Sequence, residues 1–417
     1  MSKGLLAKAG SYVISSGLNS AVPFLLMPVF TRYLTPSDMG VVAMYQSTLN
    51  IFAIIIELSL PSAVSVRYFN REGIDLPVYT GTGWILVAAS TVLCSLFALL
   101  VAPWLEEYTG LPLHWVLIAI FSAMWAVGIQ LRLRVWQMEG RVGNYALLQN
   151  GYTLAIMAVS ILLVVVMAFG WEGRAMGQFL ATAGLGIGIC LFLLKRGDVK
   201  IRWNATYARE ILAFGLPLIP HGLGAVAIVF AGRVVLNTMA GLHDVGLYTV
   251  ASQLTFIIAL IATAFNQAYA PWLFRRLSEG DACPRRRIVM ATYAYFVIAA
   301  LGAAVFSWVG AWAIDFYLGP GYSDAFRFVP WLAYSAAFTG MYYMVTNYLF
   351  HNRKTGRLAA LTLIVGGLSI PLSMLLIKLN GAVGAAQAVC AANFVMFICT
   401  WVMATRVEPM PWNLFRK

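Results

Sequence analysis

Charge is scarce in this sequence: Asp, Glu, Lys and Arg make up 11% of its 417 residues, against about 25% in a soluble globular chain. With 61% apolar residues and a mean hydropathy of +0.80, that deficit argues against a water-soluble fold. Cysteine is also sparse. Cys94, Cys190, Cys390 and Cys399 fall inside apolar runs and Cys283 lies in a basic loop, with no metal-ligand spacing among them, so they read as small packing residues. A cleavage site is missing too. Lys3 and Lys8 precede an apolar run that imitates a signal peptide, but the run continues to residue 34 without a small-residue cleavage site and reads as a first span. Finally, no polar stretch is long enough to fold alone. The longest, 195–209 and 275–287, are basic connections, which leaves no room for a soluble catalytic domain.

What is present is a series of apolar runs. Crossing the hydrocarbon core takes roughly 20 mostly apolar residues per helix, and continuous runs of this length are helices rather than barrel strands. Runs bounded by charges or by Pro and Gly predict twelve spans: 10–34, 41–64, 79–102, 113–135, 145–169, 175–194, 210–236, 245–270, 288–314, 329–350, 358–378 and 382–404. Lys and Arg accumulate in cytoplasmic loops. If both termini are cytoplasmic, 23 of the 28 Lys and Arg residues fall on that side, leaving Arg32, Arg174, Arg233, Arg327 and Lys378 on the other. The net charge of +12 is thereby explained by topology and needs no nucleic-acid partner. The expected fold is an all-α integral membrane protein of the inner membrane, with both termini cytoplasmic.

The chain also repeats itself. Asp38-Met39-Gly40-Val41 matches Asp244-Val245-Gly246-Leu247 at an offset of 206, and Leu5-Leu6-Ala7 meets Ile211-Leu212-Ala213 at the same offset. Glu72-Gly73 matches Glu279-Gly280 at 207, and Arg141-Val142-Gly143 resembles Lys354-Thr355-Gly356 at 213. Six spans separate the members of each pair, so the halves share one orientation and are related by an axis along the membrane normal. The expected lobes are 1–206 and 207–417, six helices each.

Two stretches carry a family resemblance. Pro28-Val29-Phe30-Thr31-Arg32-Tyr33-Leu34-Thr35-Pro36-Ser37-Asp38-Met39-Gly40 is similar to the first turn between spans in O-antigen (Wzx-type) flippases of the polysaccharide transporter family. These belong to the superfamily that also holds lipid II flippases and multidrug and toxin extrusion transporters. Arg233-Val234-Val235-Leu236-Asn237, with Gly241-Leu242-His243-Asp244-Val245-Gly246-Leu247-Tyr248-Thr249-Val250-Ala251, resembles the turn between spans seven and eight. There an Asp usually precedes the Arg; Gly232 stands here, which takes away the acidic neighbour of any ion pair at this point. The resemblance implies two pseudo-symmetric lobes around a central cavity lined by helices 1, 2, 7 and 8. It further implies alternating access and an undecaprenyl-diphosphate-linked oligosaccharide, a precursor of lipopolysaccharide, as substrate. A polysaccharide polymerase and a chain-length regulator are the expected protein partners, beside the membrane lipids. No cofactor is implied beyond a coupling ion, H+ or Na+.

Moving a diphosphate and several sugars through lipid requires polar groups at membrane depth. Glu57, embedded in Ile51-Phe52-Ala53-Ile54-Ile55-Ile56-Glu57-Leu58, is the candidate for ion coupling, because burial favours a neutral carboxyl that can exchange a proton or sodium; a structural hydrogen bond is the alternative. Asn266 and Gln267 fall at a similar depth in span 8 and are candidates for sugar hydroxyls or for holding helices together. Arg32 and Arg233 are candidates for phosphate oxygens, or else snorkel to headgroups. Arg132 and Arg134 point about 200° apart on one helix, so at most one of them faces a cavity; Arg132 is assigned to substrate. The Arg285-Arg286-Arg287 run and the 195–209 loop either hold an incoming diphosphate or fix topology and bind anionic lipid. Pro217 and Pro220 should interrupt span 7 beside His221, which reads as a packing or hydrogen-bonding group. Trp104, Tyr108, Trp115, Tyr317 and Trp331 fit an interfacial belt.

Two other readings compete. A cation-coupled multidrug exporter would use the same architecture with a carboxylate-rich cavity, whereas one clear central carboxylate is present. A membrane polysaccharide polymerase or ligase would carry a large periplasmic loop, and every outer connection here is short. The expected protein is a transporter and not an enzyme.

Overall fold

In the computed structural model, described for residues 3–69, 73–278, 285–352 and 354–413, every regular element is helical. Arg71, Glu72, Glu279, Gly280, Cys283, Arg353, Arg416 and Lys417 lie outside the described residues, as does the side chain of His221. The elements follow the predicted spans one for one, with splits in three of them. Span 1 is α1 (Lys3–Tyr33), and span 2 is α2 (Pro36–Glu57) plus α3 (Leu60–Phe69). Next come α4 (Leu76–Leu100), a short helix α5 (Ala102–Thr109), and α6 (Leu113–Met138). Span 5 is α7 (Val142–Ile161), finishing in one π turn (Leu162–Val166), and span 6 is α8 (Gly170–Arg196). Span 7 is α9 (Ala205–Gly215) plus α10 (Leu218–Ala240). Spans 8 to 12 are α11 (Leu242–Leu277), α12 (Arg285–Tyr317), α13 (Val329–His351), α14 (Thr355–Asn380) and α15 (Val383–Val407).

Nine of the described helices are long and apolar enough to cross a bilayer, so the chain is a multi-pass membrane protein. The hydropathy of α13 is reduced by Tyr334, Tyr342, Tyr343, Tyr348 and Asn347, although its place between α12 and α15 is that of a span.

By packing, the chain forms two compact units, Met1–Asn237 and Thr238–Lys417. The first takes in most of α10, whose Asn237 Nδ2 donates to the Tyr108 carbonyl at 3.2 Å. In the first unit α6 is the central helix, packed on α2, α3, α4 and α8, while α7 packs on α8. In the second, α13 packs on α11, α12 and α15, while α14 packs on α15. Numbered by span, 4 lies against 2, 3 and 6 as 10 lies against 8, 9 and 12, so one packing order recurs. Between apolar helices in lipid, close approach of small residues supplies the attraction. Gly186 of α8 lies where a Cβ would be 2.5 Å from the Trp125 carbonyl of α6, and Gly340 of α13 where one would be 2.5 Å from the Tyr295 hydroxyl.

The duplicated motif keeps its register. Thr35 caps α2 and Gly241 precedes α11, which places Asp38 and Asp244 each third in its helix. Gly40 and Gly246, two residues on, are both buried. A carboxylate in the first turn complements the helix dipole. The partners differ: Asp38 closes a capping box with Thr35, whereas Asp244 pairs with Arg327.

Candidate functional site

A line of polar side chains in the first unit runs along α2. Gln46, Asn50 and Glu57 are spaced four and seven residues apart, which at 3.6 residues per turn sets them on one face, over about 16 Å of axis at 1.5 Å per residue. Gln46 Nε2 donates to Asn50 Oδ1 at 2.9 Å, and Gln178 Nε2 of α8 donates to Gln46 Oε1 at 2.9 Å. Asn50 is exposed and Glu57 half-buried. On the neighbouring helices, Thr153 of α7 donates to Asn19 of α1, and Tyr152 and Thr182 share a hydrogen bond of 2.8 Å. The result is a band of amides, hydroxyls and one carboxylate inside helices that are otherwise apolar.

Arg233 joins this band. Its Nη1 donates to Ser47 Oγ at 2.7 Å, and Ser47, 2% exposed, donates in turn to the Ala43 carbonyl at 2.7 Å. The guanidinium is therefore held against α2 at Ser47, about 100° around the helix from Gln46.

Glu57 ends α2 at a break in the span. Leu58 and Ser59 adopt φ of 49° and 52°, a left-handed conformation that costs roughly 1–2 kcal/mol for a residue with a Cβ. Pro61 has no N–H for the Glu57 carbonyl, so the helix cannot continue through it. The surroundings hold the break in place. Ser90 Oγ of α4 donates to the Ile55 carbonyl at 3.1 Å, Ser62 and Ala63 each donate to Ser59 at 3.0 Å, and Gly215 sits so near that a Cβ on it would lie 2.1 Å from the Leu58 carbonyl. An unwound turn inside a span presents backbone groups only where protein or water can satisfy them. Arg134 of α6 is exposed and acts on Glu57 electrostatically.

Other predicted residues lie elsewhere. Arg32 is exposed at the end of α1, away from the hydrogen-bonded band. Arg132 is buried at 5% exposure against Trp136 and Phe192, on the other side of α6 from Arg134. Asn266 and Gln267 belong to the second unit. There Asn347, itself 3% exposed, donates Nδ2 to Asn266 Oδ1 at 2.8 Å, which joins α11 to α13; Gln267 is exposed. The interruption of span 7 falls at Leu216 and Pro217, whereas Pro220, third in α10, is tolerated because the first turn needs no i−4 bond. Sequence reasoning overlooked Gln46, Asn50, Gln178 and Asn19. The signal that would have found them is polar residues at helical spacing in an apolar run.

A helical packing order recurring in two units, with amides and a carboxylate inside otherwise apolar helices, defines a polytopic membrane protein with a polar path along α2. Comparison with known proteins agrees. A family model described as "Polysaccharide biosynthesis protein" matches residues 5–276, and the chain belongs to that family. An uncharacterized membrane protein of Haemophilus influenzae is 25% identical over 358 residues, covering 84% of this chain and 85% of its own. Among solved structures, the lipid II flippase MurJ in an inward closed conformation superposes with a TM-score of 0.74 at 12% identity, covering 97% of this chain and 88% of its own. An inward-facing multidrug resistance MATE family transporter of the MOP superfamily gives 0.71 at 17% identity, covering 95% and 97%. The fold is the one these transporters share.

Proposed function

We propose that the protein is a flippase that moves undecaprenyl-diphosphate-linked oligosaccharide repeat units from the cytoplasmic to the periplasmic leaflet of the inner membrane. The observation that carries this reading is the polar face of α2, with Gln46, Asn50 and Glu57 in line and Gln178 bonded to it. A charge at mid-bilayer costs about 2.5–3.5 kcal/mol on insertion scales, and sugars lose their hydrogen bonds there. Amides offer both donors and acceptors to sugar hydroxyls, and Arg233 beside them supplies positive charge for a diphosphate. Membership in a polysaccharide biosynthesis family supports a glycan as cargo. Glu57, at the unwound turn, is the coupling group, taking up and releasing a proton or sodium as its surroundings alternate between the two sides. The basic connections then face the cytoplasm, and the flipped unit is handed to a polymerase and its chain-length regulator.

The test is deletion of the gene followed by analysis of lipid-linked glycans. Undecaprenyl-linked repeat units should accumulate while surface glycan is lost. In complementation, Glu57→Gln should reduce export to the deletion level with normal expression, and Arg233→Ala should reduce it in part. Surface glycan at wild-type levels in both variants, at native expression, removes these residues from the mechanism.

A further inference from the structure

A second polar site lies in the first unit, at the end that carries the basic connections. Between α3, α4, α6 and α8 there is a pocket of about 320 Å³, whose lining includes Tyr68, Thr80, Arg132, Glu139, Arg196 and Asp198. The connection 197–204 that borders it is pinned to α4: Lys200 N donates to the Pro77 carbonyl at 3.0 Å and Thr82 Oγ1 to the Arg202 carbonyl at 2.9 Å.

Arg132 is the unusual group here. Its side chain is 6% exposed, and its guanidinium lies over the rings of Trp136 at 4.5 Å and Phe192 at 5.5 Å. Those rings fix the plane of the fork but accept none of its in-plane N–H groups. Among the described residues, Nε finds no acceptor, and the nearest carboxylate oxygen, Asp198 Oδ2, is 3.9 Å from Nη1, too far for a hydrogen bond. Asp198 is already shared with Arg196 at 3.3 Å, and Glu139 is taken by Arg141 at 2.7 Å. A buried cation with an unmet Nε donor is costly, and a planar fork lining a cavity matches tetrahedral oxyanions that accept two parallel N–H bonds. Arg196, half-exposed at the pocket, adds a second positive charge.

We propose that this pocket binds a phosphate group, with Arg132 as its bidentate ligand, Arg196 as its second cation and Asp198 as the internal carboxylate that the phosphate displaces. The site is separate from the polar face of α2, and its occupancy does not depend on what the protein transports. Two sources share this chemistry: the headgroup of an anionic bilayer lipid, and a free or substrate-borne diphosphate entering from the aqueous side.

The full chain, reconstituted in phosphatidylcholine nanodiscs, is titrated with inorganic pyrophosphate by calorimetry; in parallel, the detergent-solubilised protein is titrated with phosphatidylglycerol by native mass spectrometry. Saturable binding of pyrophosphate assigns the aqueous source, and saturable binding of phosphatidylglycerol alone assigns the lipid. Either way, Arg132→Gln should weaken binding tenfold or more, the size expected for a charge-assisted bond of about 1.5–3 kcal/mol. Asp198→Asn should tighten it severalfold, a gain that a damaged fold does not produce. The proposal is overturned if neither ligand saturates the wild type, or if both variants bind like it. Because no step reads export, loss of glycan export in an Asp198→Asn strain bears on the flippase reading and not on this site.

Discussion

Arg233 and Ser47 form a pair whose two roles are separable by substitution. The hydroxyl of Ser47 anchors the guanidinium to α2 at 2.7 Å, and interhelical hydrogen bonds in membranes are worth about 0.6 kcal/mol, rarely above 1.7. Ser47→Ala should therefore lower stability by about 1 kcal/mol in detergent melts while export continues. Arg233→Ala should show a similar stability loss and, on the proposed flippase reading, a larger fall in export, since it also removes a positive charge. A double-mutant cycle on the melts gives the coupling directly; a coupling near zero would mean that the bond does not hold α10 to α2. Glu57 was legible from the sequence because a carboxylate stands out in an apolar run, whereas Gln46 and Asn50 are neutral amides that hydropathy barely registers. Asn266 and Gln267 were legible as polar residues, but their different exposure depends on where Asn347 lies on a helix 81 residues away. For Arg132 the missing information was helix phase. Trp136, one turn on at i+4, is the ring it stacks on, a signal present in the sequence and readable only with the helix in view.

At the scale of elements, the twelve runs became twelve spans because burial in lipid forces each run of about 20 apolar residues into a helix. The internal breaks were harder to read, since hydropathy averages over the same length that the breaks interrupt. Proline stands at two of them, Pro217, expected from the sequence to interrupt span 7, and Pro61, which the predicted span 41–64 ran through, but the π turn at Leu162–Val166 has no comparable residue. The break after Glu57 also has a counterpart from another helix: Gly215 closes on the Leu58 carbonyl at a distance that excludes a side chain. Gly215→Ala should cost about 1–3 kcal/mol by overpacking, read as a lower melting temperature in detergent. Gly151→Ala, in α7 where an added Cβ meets nothing within 4 Å, should be neutral or raise stability by up to about 1 kcal/mol. Equal melting temperatures for the two variants would show that the α9 contact does not fix the broken turn.

For the whole molecule the decisive quantity is sidedness, because a flippase that loads from the cytoplasm must present its basic connections there. Moving Lys and Arg outward across the membrane opposes the potential at about 2.3 kcal/mol per charge per 100 mV, so the placement of 23 of 28 basic residues on one side favours a single orientation. The two units reinforce this, since each repeats the same order of helix packing with an even number of spans between corresponding elements. Single-cysteine labelling checks it in a background with the five native cysteines replaced. Glu107→Cys in α5 and Ser323→Cys before α13, both at exposed positions, should react with an impermeant maleimide in intact spheroplasts. Arg202→Cys, exposed in the connection 197–204, should react only after lysis. A span miscounted between α6 and α8 would put Glu107 and Arg202 on the same side, one before α5 would exchange all three sites, and one between α9 and α12 would exchange Ser323 alone. The pattern of labelling therefore locates any error in the topology as well as detecting it.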